Sequence, residues 1–242
     1  MDNREILDNI ILEEQQSFFE TANITAKATS EGLIKSFVLA GSAGIGKSYG
    51  IEQILKDRDN VKFVGGHVSN GGLYRLLFNN RFKDSCIVFD DSDSILQSEI
   101  SLGLLKHSLE SKPVRNISWI SQAILKNDDG EPLPPSFDFE ASIVFLSNLN
   151  IIAMVDKGTK LSPHLEAIVS RSVFLNAFKI FDSPRAYLVR INSLKQHIFK
   201  AEGMNSIEQS IISQFINTNY LDLCDISLRL VIKLCVYELT DY

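Results

Sequence analysis

The sequence predicts an α/β fold: a mostly parallel sheet covered by helices on both faces, followed by a small all-helical part. Three observations carry this expectation. Between residues 36 and 175, short apolar runs alternate with segments of helical periodicity. Beyond residue 182 the apolar runs stop while the helical periodicity continues. The charge changes in the same region: residues 1–170 carry 16 Lys+Arg against 23 Asp+Glu, whereas 171–242 carry 8 against 7, which separates two parts.

The elements follow in order. Ile6, Leu7, Ile10 and Ile11 fall on one helical face, so a helix is expected over residues 4–19, with the Thr/Ala-rich residues 21–32 as a connector. Ser36–Ala40 reads as a strand, Lys47–Lys56 as a helix, Val61–Val64 as a strand and Leu73–Asn79 as a helix. Cys86–Phe89 is the next strand and Ile100–Leu109 the next helix. Ile143–Leu146 and Val173–Leu175 read as strands around a helix at Pro163–Val169. Buried parallel strands need this continuous apolar character because helices cover both of their faces. Residues 112–140 interrupt the rhythm with Pro113, Trp119, Asp128-Asp129-Gly130 and three further prolines, which suits a hairpin or long loop. After Ser183-Pro184, helices are expected to about Lys200, over Ser206–Asn217 and over Ser227–Leu239, with Gly203 as a break. The implied organisation is an N-terminal helix and connector (1–30), an α/β core (31–182) and a helical domain (183–242).

A chain of 242 residues with 45% apolar and 22% charged residues has an ordinary globular composition and can bury a full core. A net charge of -6 argues against coating nucleic acid by bulk attraction, although a local basic patch remains compatible. No apolar run approaches 18 residues and the first residues lack a signal-peptide pattern, so no membrane association and a cytoplasmic location are expected. Cys86, Cys224 and Cys235 are far apart and flanked by apolar residues, as buried free thiols would be. His67, His107, His164 and His197 show no metal-ligand spacing and read as surface or helix-end residues.

The stretch that carries chemistry is Gly41-Ser42-Ala43-Gly44-Ile45-Gly46-Lys47-Ser48, followed by Tyr49. It lies between an apolar strand and a helix, the context in which a glycine loop cradles the phosphates of a nucleoside triphosphate. The glycines let the backbone wrap the phosphates while free helix N–H groups point at their charge. Lys47 would reach the β- and γ-phosphates, and the Ser48 hydroxyl would ligate Mg2+. A second apolar strand ends in Asp90-Asp91 about 40 residues later. Asp90 would hold Mg2+ through water, and Asp91 would polarise an attacking water. Asp93 is the next acid and reads as solvated. Ser147-Asn148 closes a further core strand, where Asn148 can meet the attacking water or the γ-phosphate; the alternative is an asparagine opening a turn.

With these elements in order, residues 30–240 resemble the AAA+ ATPase family. The resemblance implies a three-layer αβα phosphate-loop core with a five-stranded parallel sheet of order 5-1-4-3-2 and a helical lid. Gly41–Ser48 is similar to its Walker A loop, Asp90-Asp91 to Walker B and Asn148 to sensor 1. Ser170-Arg171 matches the arginine-finger position and Arg229 the sensor 2 position. ATP, Mg2+, a homo-oligomer (a hexameric ring or helical filament) and a DNA or protein substrate that is remodelled or loaded are what such a match implies. Ser69–Tyr74 and residues 115–140 also resemble compact bacteriophage members, which would place the protein in a host cytoplasm. The pattern departs from the family in Asp91, where glutamate is more familiar, in a compact lid and in lacking a large partner-recognition domain.

Several residues have competing readings. Arg171 can cap its own helix, and Arg229 can form a surface ion pair. Asn70 can restrain the catalytic acid or be an ordinary loop asparagine. Phe18-Phe19, Tyr74 and Phe78 read as packing groups. Arg115-Asn-Ile-Ser-Trp119 either projects to contact nucleic acid or polypeptide, or packs as a hairpin on its own core. A slow ATP-dependent switch or adaptor is the main alternative to a remodelling ATPase. A small-molecule kinase would leave the arginine in trans and the lid without purpose.

Overall fold

The computed structural model describes residues 2–120, 124–127 and 130–238. Two compact units emerge: one of Met1–Glu20, Gly41–Lys47 and Ala177–Tyr242, the other of Thr21–Ala40 and Ser48–Asn176. Among the described residues, no helix is long and apolar enough to cross a membrane.

The second unit holds a five-stranded parallel sheet. Its strands are β1 (Ser36–Ala40), β2 (Val61–Gly65), β3 (Cys86–Asp90), β6 (Ser142–Ser147) and β7 (Val173–Asn176). The spatial order is β2-β3-β6-β1-β7. In chain numbering this differs from the expected 5-1-4-3-2. An antiparallel pair, β4 (Arg115–Ser118) with β5 (Ser136–Phe139), enters between β3 and β6, so the last two sheet strands are the sixth and seventh of the chain. The middle strands β1, β3 and β6 are almost wholly buried and rich in Val, Ile, Leu and Phe, whereas the edges β2 and β7 are partly exposed. Phe89 and Phe145 stack across neighbouring strands with centroids 4.6 Å apart. Truncating either to alanine removes burial and leaves a cavity, a loss of about 3–5 kcal/mol.

Helices flank this sheet: α2 (Lys47–Leu55), α3 (Asn70–Asn79), α4 (Glu99–Ser108), α5 (Ile151–Asp156) and α6 (Ser162–Arg171). Ser69 caps α3 by accepting from Gly72 N–H at 3.1 Å, and Ser98 caps α4 through Ser101 N–H. α3 therefore begins three residues before the expected Leu73, because Asn-Gly-Gly is held by its cap despite poor propensity.

The largest departure is at the N-terminus, where α1 spans Asn3–Ser30 and absorbs the expected connector. Thr25 and Thr29 donate to the carbonyls one turn back, Thr21 and Thr25, so their hydroxyls are satisfied inside the helix. Ala22, Thr25, Ala26 and Thr29 form a buried stripe of small residues at helical spacing. Gly32, at φ +73°, then stops the helix: its N–H donates to Thr29 O while Leu33 N–H donates to Ala28 O, a Schellman end.

In the first unit, α7 (Pro184–Ala201), α8 (Ser206–Asn219) and α9 (Leu228–Glu238) enclose Leu188, Ile191, Phe199, Met204, Ile212, Ile216, Val231 and Cys235. Ser183 caps α7 with Pro184 in the first turn, and Asn205 with Glu208 forms a capping box on α8. The first half of α1 joins this unit through Gln15, whose amide donates to Ala186 O, and through an Asp8–Arg185 ion pair. Ile11, Phe18 and Phe19 pack with Phe181 and Tyr187.

The expected hairpin forms at β4–β5, but Arg115 does not project. It is 2% exposed and donates to the carbonyls of Ser108, Phe139 and Ala141, so the reading as a nucleic-acid contact is overturned for this residue. Trp119 lies beside Tyr74 with ring centroids 6.0 Å apart, and Tyr74 and Phe78 both pack on Phe137. The expected Asp128-Asp129 turn falls outside the described residues. Cys86 and Cys235 are buried free thiols, but Cys224 is exposed, against expectation, because it sits in the loop before α9. His67, His107 and His197 are exposed and His164 is half-buried in the first turn of α6.

Candidate functional site

Parallel pairing brings the C-terminal ends of the central strands to one edge. Ala40 pairs with Ser147, and Asp90 pairs with both Leu146 and Gly65. Residues just beyond those strand ends therefore converge, whatever their separation in sequence. Asp90, Asp91 and Asn148 all occupy this edge.

Within this unit the side chains form a connected set. Ser48, in the first turn of α2, donates its hydroxyl to Asp90 Oδ1 at 2.7 Å. The Asn148 side-chain amide donates to Asp91 Oδ1. Asp91 has φ 51°, the only left-handed non-glycine residue among those described. Asp93, expected to be solvated, instead accepts from Ser147 Oγ at 2.6 Å and from Asn148 N–H at 3.2 Å. Its position at the start of the 3-10 turn Asp93–Gln97 turns the carboxylate toward β6. Ser92, buried beside it, donates to Val64 O at 3.2 Å. The Asn70 side-chain bonds seen here are made through its carbonyl oxygen. That oxygen accepts from Ser98 and Ser101, both at 2.7 Å, and so anchors α3 to α4. Arg171 is exposed at the C-terminus of α6, where its guanidinium donates to Ala167 O at 3.0 Å.

The glycine loop Gly41–Lys47 belongs to the other unit. Gly44 and Gly46 have φ of +76° and +96°, conformations that a side chain would strain. A Cβ at Gly41 would stand 2.6 Å from the Ala177 Cβ, so this position has no room for one. Lys47 is 6% exposed, and its ammonium donates to Gly41 O at 2.7 Å and Ser42 O at 2.8 Å. Ile45 is buried, whereas Ala43 and Tyr49 are exposed. Contacts with α7 and the start of α9 help hold the loop. Ser42 and Tyr187 share a hydroxyl–hydroxyl bond of 2.6 Å, Arg190 Nε donates to Ile45 O, and Leu228 N–H donates to Gly44 O at 2.9 Å. Arg190 also covers the Phe19 ring, its guanidinium carbon 3.8 Å from the centroid, and burial pulls its pKa down to about 10. Arg229 is exposed, with its Cγ 3.8 Å from where a Gly44 Cβ would be. An open cavity of about 510 Å³ beside the loop is lined by Ser42, Ala43, Phe181, Tyr187 and Asp225.

Tyr187, Arg190 and Ser147 were not singled out by the sequence. A cation inside the otherwise apolar run Ala186-Tyr-Leu-Val-Arg190-Ile191 was the available signal for Arg190. Among the described residues no three His, Cys, Asp or Glu side chains group as a metal site. The Ser48 hydroxyl and Asp90 carboxylate are hard oxygen donors, the pair expected of a Mg2+ site that relies on phosphate and water for its remaining ligands. The donor set therefore fits the implied ion, and the glycine loop fits a phosphate.

Fold and site together define an α/β protein with a five-stranded parallel sheet flanked by helices, compatible with a phosphate-loop, three-layer arrangement. No protein-family model matches the chain. It is 30% identical over 230 residues to an uncharacterized 36.7 kDa protein in the nrdC-mobD intergenic region of Enterobacteria phage T4, a span covering 92% of this chain and 69% of that relative. The chain belongs to the family of that phage protein.

Proposed function

We propose that this chain is an AAA+ ATPase that binds Mg2+–ATP, hydrolyses it to ADP and phosphate, and uses the cycle to remodel or load a nucleic-acid or protein substrate. The observation that carries this reading is the 2.7 Å bond between Ser48 and Asp90, which pairs the residue following the glycine loop with the acid ending β3. Bound Mg2+ would neutralise phosphate charge as it develops. The backbone of Gly41, Ser42, Ala43, Gly44, Ile45 and Gly46 holds the phosphates, with Tyr49 in the following turn. Lys47 exchanges its two loop carbonyls for phosphate oxygens. Ser48 and Asp90 hold the metal, Asp91 orients and deprotonates water, and Asn148 aims Asp91. Arg171, exposed at a helix end, acts on the nucleotide of a neighbouring copy, which makes the working form a hexameric ring or helical filament. Arg229 meets the nucleotide from α9. Phage kinship supports a host-cytoplasmic setting.

One observation favours a second reading, a slow switch or adaptor. The Asn148 amide already occupies one oxygen of Asp91, a short acid with little reach to spare. Steady-state phosphate release, alone and with DNA, separates the two. An ATPase turns over in a Lys47- and Asp91-dependent way, and DNA stimulation identifies the substrate class. Lys47→Ala is expected to abolish ATP binding by calorimetry; unchanged affinity would sink the nucleotide reading. Arg171→Ala should bind ATP yet turn over about 10-fold or more slowly, about 1.4 kcal/mol per tenfold. Mixing it with Asp91→Asn chains should restore part of the activity. Mixed oligomers that stay inactive would exclude action in trans.

A further inference from the structure

We propose that Asp93 is a positioning residue that fixes the Asn148 side chain against Asp91, and thereby sets turnover rather than nucleotide affinity. For its effect on turnover this rests on the ATPase reading above; the geometry it describes does not.

The two oxygens of Asp93 divide their work at the tip of β6. One accepts from the buried Ser147 hydroxyl at 2.6 Å, the other from the Asn148 backbone N–H at 3.2 Å. Ser147 Oγ in turn accepts from Leu149 N–H at 3.1 Å, so the turn after β6 closes on the same group. Asn148 is thus held by its backbone from Asp93 while its side-chain amide donates to Asp91, two residues before Asp93. Ser92, between the two acids, donates to Val64 O on β2, and Ser94 accepts from Val68 N–H. The loop leaving β3 is therefore tied to the strands on both sides of it in the sheet. Those ties hold Asp91 in its left-handed conformation, since an unfavourable torsion persists only where neighbours over-determine it. A carboxylate suits the role at Asp93 because it accepts two bonds in different directions, and charge strengthens both. An amide has only one accepting oxygen, so Asp93→Asn keeps the shape but loses the charge, and it can meet both partners only with the Ser147 bond reversed, the hydroxyl accepting.

Two measurements on the full chain test this. In the first, Asp93→Asn should lower kcat about 10-fold or more while leaving KM and ATP affinity within about twofold of wild type. Ser147→Ala, which removes no charge but takes away both the bond to Asp93 and the one from Leu149 N–H, should lower kcat in the same direction. In the second, asparagine-selective isotope labelling follows Asn148 by NMR without nucleotide. Asp93→Asn should speed exchange of the Asn148 backbone amide and also shift its side-chain amide, a group that Asp93 does not touch in the network described. A shifted backbone amide with an unmoved side-chain amide would reduce Asp93 to a turn residue and overturn the proposal, as would wild-type kcat in both variants. If the wild type releases no phosphate, the ATPase reading falls and the NMR result alone decides the positioning role.

Discussion

Replacing Arg115 by alanine should be among the most destabilising single changes in the α/β unit. The guanidinium is buried and donates to Ser108 O at 2.6 Å, Ala141 O at 2.5 Å and Phe139 O at 3.2 Å. It therefore joins the end of α4, the residue ahead of β6 and the last residue of β5. Its guanidinium carbon also lies 4.9 Å from the Phe139 ring centroid. Burial pulls its pKa down to about 10, with Glu140 and Glu110 acting in the opposite sense, so it stays charged at neutral pH. Truncation leaves three carbonyls short of a donor and a void where the side chain lay. Each orphaned acceptor costs about 1–3 kcal/mol, and water entering the void offsets part of that, giving a loss of about 3–5 kcal/mol. The assay is urea unfolding followed by the fluorescence of Trp119, the single tryptophan, which lies just beyond β4. With a slope of about 2–3 kcal/mol per M, the midpoint should fall by more than about 1 M. Arg115→Lys keeps the charge but cannot form the same planar fork, so it should recover only part of the loss. A midpoint within about 0.3 M of wild type for Arg115→Ala would refute the reasoning, since it would mean the three bonds contribute little net free energy.

The remaining predictions concern the glycine loop and the thiols. Gly44→Ala combines a φ of +76° with a Cβ 2.5 Å from the Ser227 Cβ, whereas Gly203→Ala at φ +71° meets nothing within 4 Å. Calorimetric melting should therefore fall further for Gly44→Ala, by about 1–3 kcal/mol of overpacking beyond the shared torsional strain, and equal shifts would rule out the steric account. Native protein should expose one rapidly reacting thiol to a disulfide reagent, Cys224, and three after denaturation. Cys86 should stay protected because it is buried and burial pushes its pKa up to about 11; its reaction at the rate of Cys224 would contradict the fold around β3.

The elements most legible in the sequence were those whose local pattern and tertiary role agree. Buried parallel strands are apolar throughout, so Phe37–Ala40, Cys86–Phe89 and Ile143–Leu146 announced themselves. The glycine loop was legible because positive φ and close approach leave a residue signature, borne at Gly44, Gly46 and Gly41. The second half of α1 was missed because its buried stripe is alanine and threonine, which weigh little in an apolar count, and its hydroxyls are satisfied only once the helix exists. Asp93 was misread, and Arg115 stayed open between projecting and packing, for a related reason. An isolated charge in sequence looks solvated, and only the fold supplies the carbonyls or amide that receive it. The grouping of the first half of α1 with residues 177–242 depends on long-range pairs such as Asp8–Arg185, which no local pattern encodes.

The left-handed turn at Asp91 bears on which residues this position can accept. Aspartate and asparagine visit that region several times more readily than most side chains, because their short polar group can satisfy the nearby backbone. A glutamate there would gain one methylene of reach and lose conformational ease. The alphabet favoured at residue 91 is thus narrowed by torsion before chemistry is consulted, toward glycine, asparagine, aspartate and histidine, of which only aspartate is an acid. Lengthening the acid to glutamate would therefore carry a torsional cost of about 1–2 kcal/mol unless the backbone between β3 and the 3-10 turn changed with it.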